Sequence, residues 1–256
     1  MIHPTAIVHK GAELGTDVEI GAYSIIGPHV KIGDNTTIMH HVVIDGHTTL
    51  GKGNVIHPFC SIGGPPQDIT YKGEDTKVII GDHNTIREYV TINRATTKEN
   101  WVTVMGNYNY IMAYAHIAHD CVLGDRIIMA NVATLAGHIR VGNYAVLGGL
   151  VAVHQFVRIG AYAFIGGKTG VDRDIPPFTI AAGPRAQLYG INRRGLVRMG
   201  FGQEVLDALK NAYRLVSKRE LRLKEALQRA REELPDIPEV KMFLDFYEGS
   251  KRGVLR

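Results

Sequence analysis

The sequence predicts an all-β protein, a parallel β-helix of hexapeptide repeats, followed by a small α-helical C-terminal domain. Two observations predict it: a six-residue aliphatic step through most of the chain, and a change to helical spacing near the end. A period of six fits neither the 3.6-residue helix nor simple strand alternation, and it is typical of a parallel β-helix. We place the β-helix domain at residues 1–184 and the helical domain at residues 185–256.

The aliphatic step begins at the N-terminus and continues without interruption through eleven hexapeptides. The residue four places further on is usually small or β-branched, which gives each hexapeptide two inward positions. Three short strands then make an 18-residue coil, and coils stack at ~4.8 Å, the spacing of hydrogen-bonded strands. The aliphatic positions are Ile2, Val8, Leu14, Ile20, Ile26, Ile32, Ile38, Ile44, Leu50, Ile56 and Ile62.

Two interruptions follow in the middle of the chain. After Ile62 the step lapses until Ile80, and consecutive prolines keep the intervening segment out of the sheet. We interpret this interval, which has the length of one full coil, as an excursion that leaves the prism near Gly63 and returns near Lys77. A second break near residues 95–101 shifts the phase by one residue before the repeat resumes. Long loops on rigid scaffolds often carry function.

Helical spacing takes over after a proline-containing connector that begins near Asp174. Three helices are predicted, each with one apolar face. The segment is also basic, with 16 Lys and Arg against 10 Asp and Glu in residues 185–256. The apolar faces carry Val205, Leu209, Ala212, Tyr213 and Val216 in the first helix, Leu223, Ala226, Leu227 and Ala230 in the second, and Val240, Phe243, Leu244 and Tyr247 in the third.

Composition narrows the class of protein. A chain of 256 residues with 45% hydrophobic and 21% charged residues is ordinary globular material, which argues against disorder. We find neither a leader peptide nor an apolar run of membrane-spanning length, and we expect a cytoplasmic protein with no stable membrane insertion. Cys60 and Cys121 both fall on inward positions, so we expect reduced core thiols.

The densest group of ionisable side chains lies inside the repeat, at residues 111–155. Residues 18 apart stack on successive coils, and three coils span only ~10 Å. Imidazoles clustered beside a carboxylate predict an acid/base centre. A flat prism face is no pocket, so we expect a neighbouring subunit to supply the other wall. Coil arithmetic puts His119, Gly137 and Gln155 in one column, Asp120 and His138 in the next, and His154 beside them.

Four motifs resemble those of the bacterial acyl-ACP:UDP-N-acetylglucosamine O-acyltransferases, and the similarity covers essentially the whole chain. They are HIAHDC at 116–121, LAGH at 135–138, HQF at 154–156 and QD at 67–68. The resemblance implies a homotrimer of left-handed β-helices. It implies transfer of an (R)-3-hydroxyacyl group from acyl carrier protein to the 3-hydroxyl of UDP-N-acetylglucosamine, the first step of lipid A biosynthesis. We expect no cofactor, no metal and no nucleic-acid partner.

The same resemblance implies roles for individual residues. His119 matches the general base, Asp120 the acid that orients it, and Gly137 the residue whose backbone N–H stabilises the oxyanion. Gly167 matches the acyl-length ruler, and the absence of a side chain there predicts a long acyl chain. The basic C-terminal segment, including Arg219 and Arg222, is expected to meet the acidic acyl carrier protein. Positions matching the substrate site are Gln67, Asp68, His116, His138, His154, Gln155, Asn192 and Arg198.

The chain departs from the family pattern at three positions. Thr70 stands where the family commonly has a lysine, and Lys72 is close by. Arg194 and Met199 occupy nucleotide-side positions that elsewhere hold glutamate and arginine. These departures leave the acceptor open between UDP-N-acetylglucosamine and a 3-amino sugar nucleotide.

Other functional classes are weighed against this one. A trimeric zinc hydrolyase of the carbonic anhydrase type would use His116, His119 and His138, but the spacing and the helical tail argue against it. A purely structural solenoid predicts that His119→Ala has no effect. The N-acyltransferase of the same pathway is the nearest competitor, and it usually carries an additional N-terminal domain, whereas the coils here begin at Ile2.

Overall fold

The computed structural model describes residues 1–218 and 220–256, and within them the chain forms a three-sided β-helix capped by helices. Arg219, one of the two arginines expected to meet the carrier protein, lies outside the described residues. Three sheets form the sides of the prism, and their coil strands run parallel. Partners in neighbouring strands of a regular coil are 18 residues apart, as where Ile7 faces Ile25.

The sheets are named in the order in which the chain visits them. The first sheet contains β1 Ile7–Val8, β4 Ile25–Ile26, β7 Val43–Ile44, β10 Ser61–Gly64, β13 Thr91–Asn93, β16 His116–Ile117, β19 Thr134–Leu135, β22 Ala152–Val153 and β25 Gly170–Val171. The second sheet contains β2 Glu13–Leu14, β5 Lys31–Ile32, β8 His47–Leu50, β11 Lys77–Ile80, β14 Val102–Met105, β17 Val122–Leu123, β20 Arg140–Val141 and β23 Arg158–Ile159. The third sheet contains β3 Glu19–Ile20, β6 Thr37–Ile38, β9 Val55–Ile56, β12 Thr85–Ile86, β15 Tyr110–Ile111, β18 Ile128–Met129, β21 Val146–Leu147, β24 Phe164–Ile165, β26 Thr179–Ala182 and β27 Gln187–Ile191.

The core of the prism consists of the predicted inward positions, except in the first coil, where Ile2 is exposed and Val8 and Leu14 are only partly buried. In β4, Ile25 points outward while Ile26 is fully buried, and this alternation repeats along the solenoid. Burying each aliphatic side chain stabilises the fold by about 1.5–3 kcal/mol relative to exposure. Cys60 and Cys121 are buried free thiols, as expected, and burial raises the pKa of each to about 12.

The excursion leaves the prism after β10, which ends at Gly64, and returns at Lys77, as predicted, but it does not take the place of one full coil. Lys77 pairs with His47 on the second sheet, and Ile80 with Leu50, so β11 lies one side further along the same coil. The excursion therefore replaces a single six-residue step at the corner between the first and second sheets. The second interruption does the same, because β13 belongs to the first sheet and β14 to the second.

The C-terminal segment packs on the end of the prism. β26 extends the third sheet, and β27 pairs with β26 antiparallel, so part of the predicted connector is strand. The helices described are α1 Arg193–Arg198, α2 Gln203–Ser217, α3 Leu223–Glu233 and α4 Pro238–Asp245. The three predicted apolar faces correspond to α2, α3 and α4, and they share a core with Phe178. None of the helices in the described part of the chain has the length and low polarity that crossing a bilayer requires.

Candidate active site

The polar cluster and both interruptions lie at one corner of the prism, between the first and second sheets, which we name the first corner. The excursion (65–76) follows β10, and the second loop (94–101) follows β13. Three ordinary turns then follow β16, β19 and β22 at 118–121, 136–139 and 154–157. Because successive strands of the first sheet are hydrogen-bonded neighbours, five consecutive coils present these segments side by side.

His119 and Asp120 form a hydrogen-bonded dyad in the first of these turns. Nδ1 of His119 lies 2.8 Å from Oδ2 of Asp120, and the two side chains are 12% and 0% exposed. Burial alone would raise the pKa of Asp120, but hydrogen bonds from His119 and Thr96 outweigh it and lower the pKa. An ionised carboxylate only accepts hydrogen bonds, so Nδ1 carries the proton. The Nε2 lone pair of His119 is then free to take a proton.

Asp120 is held in place by two threonines that the sequence analysis did not identify. The backbone N–H and Oγ1 of Thr96 donate to Oδ2 of Asp120 at 3.0 and 2.7 Å. The backbone N–H of Asp120 donates to Oγ1 of Thr103 at 2.9 Å. Asp120 adopts a positive φ of 60°, an uncommon conformation for a residue other than glycine. The second loop and the strand β14 that follows it therefore fix the acid of the dyad, a role for which their sequence carries no motif.

Gly137 lies directly against the imidazole of His119, which confirms the column arithmetic. A Cβ atom on Gly137 would lie 2.3 Å from Cε1 and 2.7 Å from Nε2 of His119, so any side chain there would displace the imidazole. Within residues 1–218 and 220–256 the backbone N–H of Gly137 meets no acceptor, whereas those of Ala136 and His138 donate to Val153 and His119. A free N–H beside the base can stabilise a developing oxyanion.

His138 is not on the surface, because neighbouring side chains cover it. Its side chain is 3% exposed, stacks on Phe156 with ring centroids 4.4 Å apart, and meets the ring of His119 edge-on at 5.1 Å. Nε2 lies 3.8 Å from Asp120 Oδ2, and Nδ1 lies 3.7 Å from Glu99 Oε1. Burial lowers the pKa of His138, although Asp120 and Glu99 oppose the shift.

The other predicted residues of the first corner are more accessible. His154 and Gln155 are exposed in the third turn, where Arg252 of the C-terminal tail contacts the His154 ring and donates to the Gln155 carbonyl at 3.1 Å. In β16, the strand just before the turn that carries His119, Nδ1 of His116 lies 2.7 Å from Oγ1 of Thr91. Burial, and secondarily the proximity of His119, lowers the pKa of His116.

The excursion brings Gln67 and Asp68 to the same corner. Gln67 is exposed, whereas the Asp68 side chain is only 11% exposed. Thr70 donates to Oδ1 of Asp68 through its backbone N–H and its hydroxyl, at 2.8 and 2.7 Å. Nζ of Lys98, on the second loop, donates to Oδ2 at 2.5 Å. Lys98 and then Thr70 hold the pKa of Asp68 well below its usual range.

Three predicted site residues lie elsewhere in the chain. Asn192 is buried as the N-cap of α1, where Oδ1 accepts from Gly195 at 3.2 Å and Nδ2 donates to the Tyr162 carbonyl at 3.0 Å. Arg198 is exposed at the end of α1. Gly167 lies at the corner between the third and first sheets, where an added Cβ would be 3.1 Å from the Gly149 carbonyl oxygen. A single chain thus does not assemble all the residues that the resemblance implies.

The geometry also bears on the zinc alternative. Ligand atoms of His119, Asp120 and His138 lie within 4.8 Å of one another. The predicted set differs, since it uses His116, whose Nδ1 faces Thr91 instead. Here the carboxylate is hydrogen-bonded to the imidazole and to Thr96, the arrangement of an acid/base dyad.

A hexapeptide β-helix that carries a His–Asp dyad and a free glycine N–H at one corner defines an acyltransferase of the hexapeptide-repeat class. Two family models match the chain: bacterial transferase hexapeptide (six repeats) at residues 29–64, and the second domain of UDP N-acetylglucosamine O-acyltransferase at residues 174–255. The chain belongs to the acyl-(acyl-carrier-protein)–UDP-N-acetylglucosamine O-acyltransferase family.

Relatives carrying this name match over the full length. The enzyme of Thermodesulfovibrio yellowstonii is 56% identical, and that of Syntrophobacter fumaroxidans is 52% identical, each match covering 100% of this chain and 99% of the relative. The solved structure of LpxA from Acinetobacter baumannii is 40% identical with a TM-score of 0.97, covering 100% of this chain and 99% of that one. The predicted left-handed β-helix is thereby confirmed, and nothing in these relatives supports a zinc hydrolyase.

Proposed function

We propose that this enzyme transfers an (R)-3-hydroxyacyl group from acyl carrier protein to the 3-hydroxyl of UDP-N-acetylglucosamine, the first step of lipid A biosynthesis. Family membership supports the donor and acceptor, since both are named in its relatives. One observation carries the mechanism: His119 is oriented by Asp120 at 2.8 Å and lies against Gly137.

His119 acts as general base in this mechanism. Nε2 removes the proton of the sugar hydroxyl as its oxygen attacks the thioester carbon, which forms the C–O bond and places negative charge on the carbonyl oxygen. Asp120 stabilises the resulting imidazolium through the Nδ1 hydrogen bond. The Gly137 N–H donates to the oxyanion. Collapse of the intermediate breaks the C–S bond, and the carrier thiolate takes the proton from His119 Nε2.

General base catalysis typically contributes about 10²–10⁴-fold, and a single oxyanion donor about 10²–10³-fold. Both rate contributions depend more on the positions of the catalytic groups than on large pKa shifts. The reacting atoms must approach within ~3–3.5 Å. The buried Asp120 and its two threonines supply that geometry by fixing the imidazole plane.

Substrate binding is assigned to the residues around the dyad. Gln67 and Asp68 on the excursion bind the sugar. On the other side of the dyad, the exposed His154 and Gln155 continue the substrate-binding surface. His116 lies on the strand before the dyad, and His138 packs edge-on against the His119 ring from beneath the surface. Together they place the acceptor hydroxyl against Nε2 of His119.

A homotrimer completes the site in this proposal. Asn192, Arg198 and Gly167 lie at other parts of the chain, so a neighbouring subunit has to bring them to the dyad. An exposed aromatic ladder supports association: Phe59, Tyr89 and Tyr114 stack with centroids 4.9 and 4.7 Å apart. Light scattering is expected to give three times the chain mass of 28.2 kDa. A monomer with full activity contradicts the shared site.

The donor is expected to dock through the basic C-terminal segment, because acyl carrier proteins are acidic. Arg222, the N-cap residue of α3, belongs to this surface. Reversing its charge is expected to raise the KM for acyl carrier protein without affecting a small thioester donor. The proposal places the enzyme in the cytoplasm, where it uses a carrier protein and a nucleotide sugar.

The acceptor is tested by supplying UDP-N-acetylglucosamine or its 3-amino analogue with the same 3-hydroxyacyl carrier protein. Mass spectrometry identifies the product, and mild alkali distinguishes the ester from the amide. A higher kcat/KM with the hydroxyl acceptor supports the proposal. A clear preference for the amine moves the assignment to the same chemistry on a 3-amino sugar nucleotide.

A further inference from the structure

An ion pair joins the two loops of the first corner. Lys98 belongs to the second loop and Asp68 to the excursion, and their Nζ and Oδ2 atoms are 2.5 Å apart. The Asp68 side chain is 11% exposed and that of Lys98 is 48% exposed, so Asp68 is the less exposed member of the pair. The pair connects segments 30 residues apart in sequence.

The ion pair lies next to the hydrogen bonds that hold the dyad. The backbone N–H of Lys98 donates to Oγ1 of Thr96 at 3.2 Å, and this hydroxyl donates to Asp120 at 2.7 Å. The backbone of Lys98 thus belongs to the support of Asp120, while its side chain contacts Asp68. Lys98 therefore links the excursion to the catalytic dyad.

The excursion itself offers no lysine to Asp68 in this conformation. Thr70, two residues after the aspartate, donates to Oδ1 and leaves Oδ2 for Lys98. Lys72 is exposed, and its backbone N–H donates to the Glu74 carboxylate at 2.9 Å. The second loop therefore supplies the ammonium group that the excursion lacks.

We propose that Lys98 is a positioning residue, whose ammonium group fixes the Asp68 carboxylate and holds the excursion at the first corner in the geometry that receives the sugar nucleotide. The sugar assignment rests on the proposed function, whereas the link between the loops does not. Removing the side chain of Lys98 leaves Oδ2 of Asp68 without its ammonium partner, while Thr70 still holds Oδ1 and the backbone hydrogen bond to Thr96 stays intact. The loss is therefore expected in acceptor binding and not in the chemical step.

The kinetic test compares Lys98→Met with Lys98→Arg in the full-length enzyme. Lys98→Met is expected to raise the KM for UDP-N-acetylglucosamine roughly tenfold, the effect of losing a charge-assisted hydrogen bond, with kcat within about threefold. Lys98→Arg keeps the ion pair and is expected to restore KM to within about threefold. Lys72→Met, on the same excursion, is the matched control and is expected to match the wild type.

A second measurement does not require activity. Limited trypsin digestion reports how readily the excursion opens, through cleavage after Lys72 identified by mass spectrometry. Lys98→Met is expected to speed this cleavage several-fold, and Lys98→Arg to leave it unchanged. If the wild type makes no acylated product, the proposed function fails while the cleavage rates still test the link. Equal cleavage rates, or a fall in kcat with KM unchanged, overturn the positioning role.

Discussion

Substituting Gly137 by alanine is the sharpest perturbation of the candidate site, because it adds one methyl group where the imidazole of His119 lies. The new Cβ would lie 2.3 Å from Cε1, 2.7 Å from Nε2 and 2.9 Å from Nδ1 of His119. Ordinary carbon–carbon contacts begin at about 3.5 Å. The ring must therefore move by about 1 Å, and its hydrogen bond to Asp120 opposes the movement.

The magnitude follows from that displacement. Misplacing a reacting group by about 1 Å costs about 10²-fold in rate, and losing the base altogether costs up to about 10⁴-fold. The structural cost is small in comparison, since His119 is partly exposed and can swing outward. Gly137→Ala is thus expected to lower kcat by about 10²-fold while changing the melting temperature by only a few degrees.

The assay follows acyl transfer from a 3-hydroxyacyl carrier protein to UDP-N-acetylglucosamine by mass spectrometry, with the melting temperature measured in parallel. Gly149→Ala is the matched control, because its nearest contact is an ordinary 3.4 Å to the Asn131 carbonyl oxygen. The control is expected to retain kcat. A Gly137→Ala enzyme with wild-type kcat would show that His119 need not occupy the observed position, and it would refute the reasoning.

Three further predictions concern chain selection, the core and acid stability. Gly167→Met is expected to shift activity toward shorter 3-hydroxyacyl donors, and an unchanged preference in a donor series contradicts the ruler assignment. Leu135→Ala removes a fully buried side chain, so urea titration should show a loss of about 2–5 kcal/mol, and a loss under about 1 kcal/mol contradicts tight packing. The Arg87 hydrogen bond lowers the pKa of Glu88 to about 2, below the ordinary value near 4.3. Glu88 therefore contributes stability above about pH 4.3 that is lost as the pH falls through about 2, and the stability difference between wild type and Glu88→Gln should shrink over that range.

The sequence predicts most of the fold because the inward positions are periodic. A six-residue step specifies which side chains face the core, and pairs such as His119 with Gly137 follow from the coil length alone. The repeat length alone therefore places the histidine-bearing turns next to one another. His138 lies off the six-residue inward step, yet neighbouring side chains bury it.

Non-periodic segments account for what the sequence did not predict. The interval from Ile62 to Ile80 has the length of one coil, so its length alone suggests that Ile80 returns to the sheet of Ile62. Strand pairing shows instead that Ile80 lies on the next sheet. The contacts of Thr96 and Lys98 join two loops whose conformations no repeat specifies. The side chain of Asn192 caps the short helix α1, which the apolar helical spacing of the sequence did not indicate.

The most direct test of the account compares wild-type enzyme with His119→Ala in transfer from a 3-hydroxyacyl carrier protein to UDP-N-acetylglucosamine. Mass spectrometry is expected to detect acylated sugar nucleotide from the wild type, and the variant should be slower by about 10²-fold or more while keeping its fold. Product from His119→Ala at the wild-type rate would contradict the assignment of His119 as the base.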